Sequence, residues 1–130
     1  MIAAYYFSAT LPGGFDDAVR RTTEALKREG FAIITEIDVK ETLHKKLGVD
    51  FRNYKILGAC NPALAYDALQ AEDKVGTMLP CNVVVQETGD GKVEVAAIDP
   101  VASMVAIDNP GLKQLAQTVR DKLKTVIAAL

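Results

Sequence analysis

Two cysteines are the residues of this chain with the greatest chemical reactivity. Cys60 ends one apolar segment and is followed by Asn61-Pro62, whereas Cys81 follows Leu79-Pro80 at the start of another apolar segment. Thiolates act as nucleophiles, form reversible disulfides and bind soft metal ions. If the two segments are neighbouring strands, both thiols lie at the same end of one groove.

The cysteines also have an ordinary structural explanation, because free cysteine is often buried and packs as a small apolar side chain. Their spacing is not that of a CxxC motif, and the single histidine, His44, has only Glu41 as a partner on its predicted helix. Three hypotheses therefore stay open. The first is a binding module for a small ligand or a soft metal, the second is an enzyme using a cysteine thiolate for redox or acyl chemistry, and the third is a structural or interaction homodimer. The binding module leads because no base is evident for either cysteine.

Asn82 is a further candidate for ligand binding, because it follows Cys81 directly and has no evident structural role. Asn61, by contrast, is explained as the cap of a helix. Tyr54 and Met104 are candidates for the wall of the same groove.

Carboxylates at the predicted strand ends form a second candidate group. Asp99 and Glu87 are suited to general acid and base catalysis, although an aspartate at a strand end more often bonds to the backbone of the following turn. The residues predicted to bind a ligand are therefore Cys60, Cys81, Asn82, Tyr54 and Asp99, with the two cysteines as predicted metal ligands.

The periodicity of apolar residues predicts the elements that position these side chains. Strands are predicted over residues 2–10, 31–37, 54–60, 75–87 and 92–99, and helices over 15–29, 39–47, 62–70 and 110–130. Residues 101–107 fit either a helical turn or a sixth strand. The order β-α-β-α-β-α-β-β-α, with a long C-terminal helix, predicts an α+β domain whose helices pack on a largely antiparallel sheet.

Three local patterns make sharper predictions. Strict alternation places four side chains on one face of the second strand: Phe31, Ile33, Thr35 and Ile37. Pro80 marks a bulge or an edge position within the fourth strand. Asp90-Gly91 predicts a type I′ turn in the hairpin that joins the last two strands.

Composition limits the classes of function. The 130 residues predict one domain over 1–130, and 49% apolar with 25% charged residues is typical of globular proteins. A net charge of −2 argues against nucleic-acid binding, and no apolar run approaches the ~20 residues of a membrane span. With two cysteines and no basic leader, we expect a cytoplasmic domain with reduced thiols and no membrane partner.

Residues 54–62, Leu79-Pro80-Cys81-Asn82 and Asp99-Pro100 together resemble the family known as domain of unknown function 302. The similarity extends over nearly the whole chain, including Gly30-Phe31 and the amphipathic last helix. The resemblance implies an α+β domain with helices packed on an antiparallel sheet, and it suggests a homodimer. It implies no reaction and no cofactor.

Overall fold

Five strands form a single sheet in the computed structural model, which describes residues 4–130. The strands are β1 (Tyr6–Leu11), β2 (Ala32–Asp38), β3 (Tyr54–Cys60), β4 (Cys81–Glu87) and β5 (Val93–Ile98). They lie in the order β1-β5-β4-β3-β2, and every neighbouring pair is antiparallel. The predicted α+β class is confirmed. The predicted first strand begins at residue 2, so its beginning lies outside the described residues.

Five helices connect or follow the strands. They are α1 (Phe15–Arg28), α2 (Val39–Leu47), α3 (Pro62–Ala71), α4 (Pro100–Ser103) and α5 (Pro110–Ala128), and a 3-10 helix over Asp73–Met78 lies between α3 and β4. Residues 101–107 therefore begin as a short helix and not as a sixth strand. None of the helices between residues 4 and 130 combines the length and the apolar character needed to cross a bilayer.

Three helices begin with the same local chemistry. The side chains of Asn61, Asp99 and Asn109 accept a hydrogen bond from a backbone N–H in the first turn of α3, α4 and α5, respectively. A proline follows each cap, where its missing N–H leaves no hydrogen bond unmade. The predicted helix starts at Asn61-Pro62 and Asn109-Pro110 are confirmed.

One face of the sheet is covered by α1 and α5. The buried side chains of this core include Leu57, Val83, Val85, Val93, Val95 and Ala97 from the strands, Leu26 from α1 and Leu123 from α5. The intervening residues of the two central strands, such as Val84 and Ala96, point to the opposite face and are only half-buried. We call this second side the open face of the sheet.

A second, smaller core lies beyond one end of the sheet. Its buried members come only from α3, the 3-10 helix, the segment around α4 and the first half of α5: Ala68, Val75, Met104, Leu112 and Ala116. The fourth strand was predicted to begin at residue 75, and this prediction is wrong. Because Pro80 has no N–H to donate, pairing in this central strand begins only at Cys81.

A bulge in β2 overturns the predicted alternation of that strand. Ile33 pairs with Ala59, but Thr35 pairs with Gly58, so one extra residue is inserted between them. The insertion moves the following residues to the other face of the sheet. Ile33 packs against the main core, whereas Thr35 is exposed.

The hairpin between β4 and β5 is confirmed, but its turn type is not. A type I′ turn needs positive φ at both central residues, and the residues with positive φ in the described chain are all glycines. Gly91, with φ of 78°, takes the left-handed position, and the Thr88 N–H donates to the Lys92 carbonyl at 2.8 Å. The loop is thus longer than a two-residue turn.

Gly58 is required by its surroundings in β3. A Cβ at this position would collide with Thr35 Oγ1 and would lie 2.8 Å from Pro80 Cγ. Gly76 is a matched control, because its Cβ would lie 3.9 Å from Leu69 Cδ2, an ordinary contact.

We predict that Gly58→Ala lowers the free energy of unfolding by roughly 1–3 kcal/mol through overpacking. Gly76→Ala should leave it unchanged or raise it by up to about 1 kcal/mol, because alanine restricts the unfolded chain. Urea unfolding followed by circular dichroism measures both values. Equal destabilisation by the two substitutions would contradict the steric explanation.

Candidate functional site

The two thiols reach one cavity, at the junction between the two cores. Cys60 is the last residue of β3, and the sheet register pairs Cys81 with Ala59, the residue before it. The cavity has a volume of about 40 Å³. Its walls include Leu64, Met104, Leu115 and Val119, so they are largely apolar.

The size of the cysteine cavity limits the ligands that it can hold, and its apolar surroundings limit the reactivity of Cys81. A volume of about 40 Å³ holds a water molecule or a single ion, whereas sites for small molecules usually measure about 300–1,000 Å³. Burial raises the pKa of the Cys81 thiol to about 11, and the neighbouring Cys60 adds to the shift. This shift is opposite to that of a reactive cysteine, whose pKa is lowered. The surroundings of Cys81 therefore favour a neutral, packed thiol.

Asp99 has a structural role at the junction of α4 and α5. Its side chain is buried. Oδ1 accepts a hydrogen bond from the Val101 N–H at 3.0 Å, and Oδ2 accepts one from Arg120 Nε at 3.3 Å. Glu87 lies at the opposite end of the β4–β5 hairpin and accepts a hydrogen bond from Asn53. At a rise of ~3.4 Å per strand residue, about 20 Å separates Glu87 from Asp99. The hypothesis of an acid–base pair formed by Asp99 and Glu87 is therefore wrong.

Tyr54 and Asn82 lie in a different place, in a groove on the open face of the sheet. The groove has a volume of about 350 Å³. Its lining comprises Tyr5, Tyr6, Tyr54, Asn82, Val84, Gln86, Glu94, Ala96, Ala97 and Ile98. It shares none of these residues with the cysteine cavity. Asn82 and Cys81 both line a further concavity of about 290 Å³ beside Pro80, and Asp99 lines none of the three.

Aromatic rings form the walls of this open-face groove. The rings of Tyr5 and Tyr6 are nearly perpendicular, with centroids 5.1 Å apart and an interplanar angle of 75°. This is a favourable edge-to-face arrangement. Tyr54, at the start of β3, lies opposite Gln86 in the register.

A chain of hydrogen bonds orients the polar groups of the groove. Arg52 Nε donates to Gln86 Oε1 at 2.9 Å, and Gln86 Nε2 donates to Glu94 Oε1 at 3.0 Å. The Arg52 guanidinium also stacks on Phe51 and Tyr54, 4.4 and 5.5 Å from the ring centroids. The amide of Gln86 is thus held with its N–H groups toward Glu94.

Sequence reasoning missed Gln86 and Glu94 as members of a site. Alternation along β4 and β5 placed them on the side away from the core, which is typical of ordinary solvent-facing residues. The signal that could have identified them is their direct pairing across the hairpin.

Metal ligands are sparse in the part of the chain that the structure describes. Between residues 4 and 130, no three histidine, cysteine, aspartate or glutamate side chains are arranged to hold one ion. His44 is exposed on α2. Cys60 and Cys81 thus have no third side chain of these types beside them to complete a metal site.

Comparisons with known proteins agree with this fold. The family model described as "Domain of unknown function DUF302" matches residues 7–130. A crystal structure of an uncharacterized conserved protein DUF302 from Bacillus stearothermophilus is similar, with a TM-score of 0.89 and 29% sequence identity over 97% of this chain and 98% of that chain. No curated protein matches the chain.

The raised pKa of Cys81 predicts how stability depends on pH. The unfolded chain loses the Cys81 proton near the ordinary thiol pKa, whereas the folded chain retains it up to a pKa of about 11. The contribution of the buried, neutral Cys81 thiol to the free energy of unfolding is therefore complete below about pH 8.5, and on the order of 3 kcal/mol is lost as the pH rises through about 11.

Urea unfolding of the wild type and Cys81→Ala, under reducing conditions at several pH values across this window, measures the loss. Lysine and tyrosine titrations are common to both proteins, so the difference isolates Cys81. An identical pH dependence of the two proteins would show that the thiol is not buried as described.

Proposed function

Since the chain belongs to the DUF302 family, which is described only as a domain of unknown function, we propose a function from geometry: a binding domain whose small ligand occupies the open-face groove. The observation that carries the proposal is a concavity of about 350 Å³ with an apolar floor and a few oriented polar groups. Binding sites for small molecules commonly have this size and composition.

The polar groups of the groove support the proposal in detail. Gln86 is fixed on both sides by Arg52 and Glu94, so its amide is pre-oriented before a ligand arrives. Pre-orientation reduces the entropy that binding costs. Asn82 is exposed at the same face and adds a donor and an acceptor.

Binding at Cys60 and Cys81 stays a prediction, with less support from the geometry. The cavity there is suited to a single soft ion and not to an organic ligand, and thiolate coordination or redox and acyl chemistry would have to overcome the raised pKa of Cys81. Metal analysis after purification without chelator, compared between the wild type and Cys60→Ser, tests the metal alternative directly.

A homodimer also stays a prediction. In the present proposal the open face is free for a ligand, so a second copy would contact another surface. Sedimentation velocity of the wild type and Tyr54→Ala distinguishes the two arrangements. A dimer that dissociates in Tyr54→Ala would assign the open face to a second copy and contradict the proposal.

We predict that fragments that bind the protein lose affinity by about tenfold in Tyr54→Ala, because an aromatic contact is removed. Asn82→Ala should weaken binding of fragments with a polar edge, and this exposed position leaves folding unaffected. Saturation-transfer NMR with a set of small aromatic and aliphatic fragments makes the measurement.

Tyr66→Ala is the matched control, because Tyr66 is 64% exposed on α3 and does not line the groove. Thermal melting establishes that each variant is folded. Fragments that bind equally to all three variants, or a complete absence of binding, would count against the groove as the site.

A further inference from the structure

The charges of the open-face groove identify the chemistry of its ligand. We propose that the groove binds a small organic cation, such as an alkylated ammonium group, which its tyrosine rings and the Glu94 carboxylate attract. The inference rests on the proposed function and adds the class of ligand.

Glu94 is the first support. Among the described residues that line the groove it is the single charged one, and it is half-buried on β5. One carboxylate oxygen accepts the Gln86 N–H at 3.0 Å, and the other oxygen has no hydrogen bond to a described protein group. A carboxylate in a partly dehydrated groove attracts a cation more strongly than one in water.

Arg52, the cation that is hydrogen-bonded to Gln86 in the groove, does not bond to this carboxylate. Arg52 donates Nε to Gln86, not to Glu94, and its guanidinium plane lies over Phe51 and Tyr54. The amide of Gln86 therefore separates the two opposite charges. An anionic ligand in the groove would meet Glu94 directly and be repelled.

The tyrosine rings are the second support, and they are independent of the carboxylate. Ring faces carry negative electrostatic potential, and aromatic walls are a common means of binding quaternary ammonium groups. Tyr5 and Tyr6 present two nearly perpendicular rings at the end of the groove where Tyr6 pairs with Ile98, and Tyr54 contributes a ring at the end where Gln86 lies between it and Glu94. Stacking of Arg52 on Tyr54 is an example of the same interaction within the molecule.

The tyrosines also provide the assay. The chain has four tyrosines and no tryptophan, and three of the tyrosines line the groove. In a Tyr66→Phe background, the intrinsic emission therefore reports only on the groove. Choline is the probe, and 3,3-dimethyl-1-butanol, in which carbon replaces the charged nitrogen, is its neutral control of the same shape.

In this background we expect a saturable change of tyrosine emission with choline and binding of the neutral alcohol that is at least about tenfold weaker. Glu94→Gln keeps an acceptor for Gln86 but removes the charge, so it should weaken the binding of choline and leave that of the alcohol unchanged, and the preference that remains is the part that the rings supply. Glu24→Gln, on the exposed side of α1, is the matched control and should change neither affinity. Potassium chloride is added to the titration with the alcohol until its ionic strength equals that of the choline titration, so that screening is the same in both.

Equal affinities of the Tyr66→Phe protein for choline and the alcohol, or a Glu94→Gln protein whose preference for choline is undiminished, would overturn the inference. A missing response to choline would overturn it as well. In each case, neutral fragments whose binding is sensitive to Tyr54→Ala would leave the proposed binding function standing, so the two failures are distinguishable.

Discussion

The register of β4 against its two neighbours is the constraint on which the rest of the structure depends. Pairing of Val83 with Leu57 and Ala97 places three apolar side chains together under α1 and α5. The same register fixes the other face, where Gln86 meets Tyr54 on one side and Glu94 on the other. Because strand side chains alternate, a shift by one residue would expose the core and bury the polar groups.

Much of the fold follows from local chemistry that is visible in the sequence. Caps such as Asn61 and the alternation of β5 predicted their elements correctly, because each depends on neighbouring residues only. The bulge at β2 and the 3-10 helix before Pro80 were missed. Both depend on β3, which is distant in sequence from at least one of them. Thr35 pairs with Gly58 and lies against it, and the pairing of β4 with β3 begins only after Pro80.

The candidate site shows the same division. The sequence indicated Tyr54 and Asn82 as members of a site, but assigned them to a groove beside the cysteines. Their location on the open face depends on which side of the sheet α1 and α5 cover, and no local pattern encodes that choice. Glu94 has an ordinary strand context, so only its three-dimensional surroundings, a groove with aromatic walls, make it a candidate for binding.

The helix α5 is shared by both cores of the molecule. Its first half contributes Leu112 and Ala116 to the small helical core, and its second half contributes Leu123 and Ile127 to the main core. Separate cores often open as separate units in hydrogen exchange. Here one continuous helix of 19 residues runs through the two cores, so neither can melt fully while the helix stays intact. We therefore expect the backbone of α5 to make the unfolding of the two cores a single cooperative event.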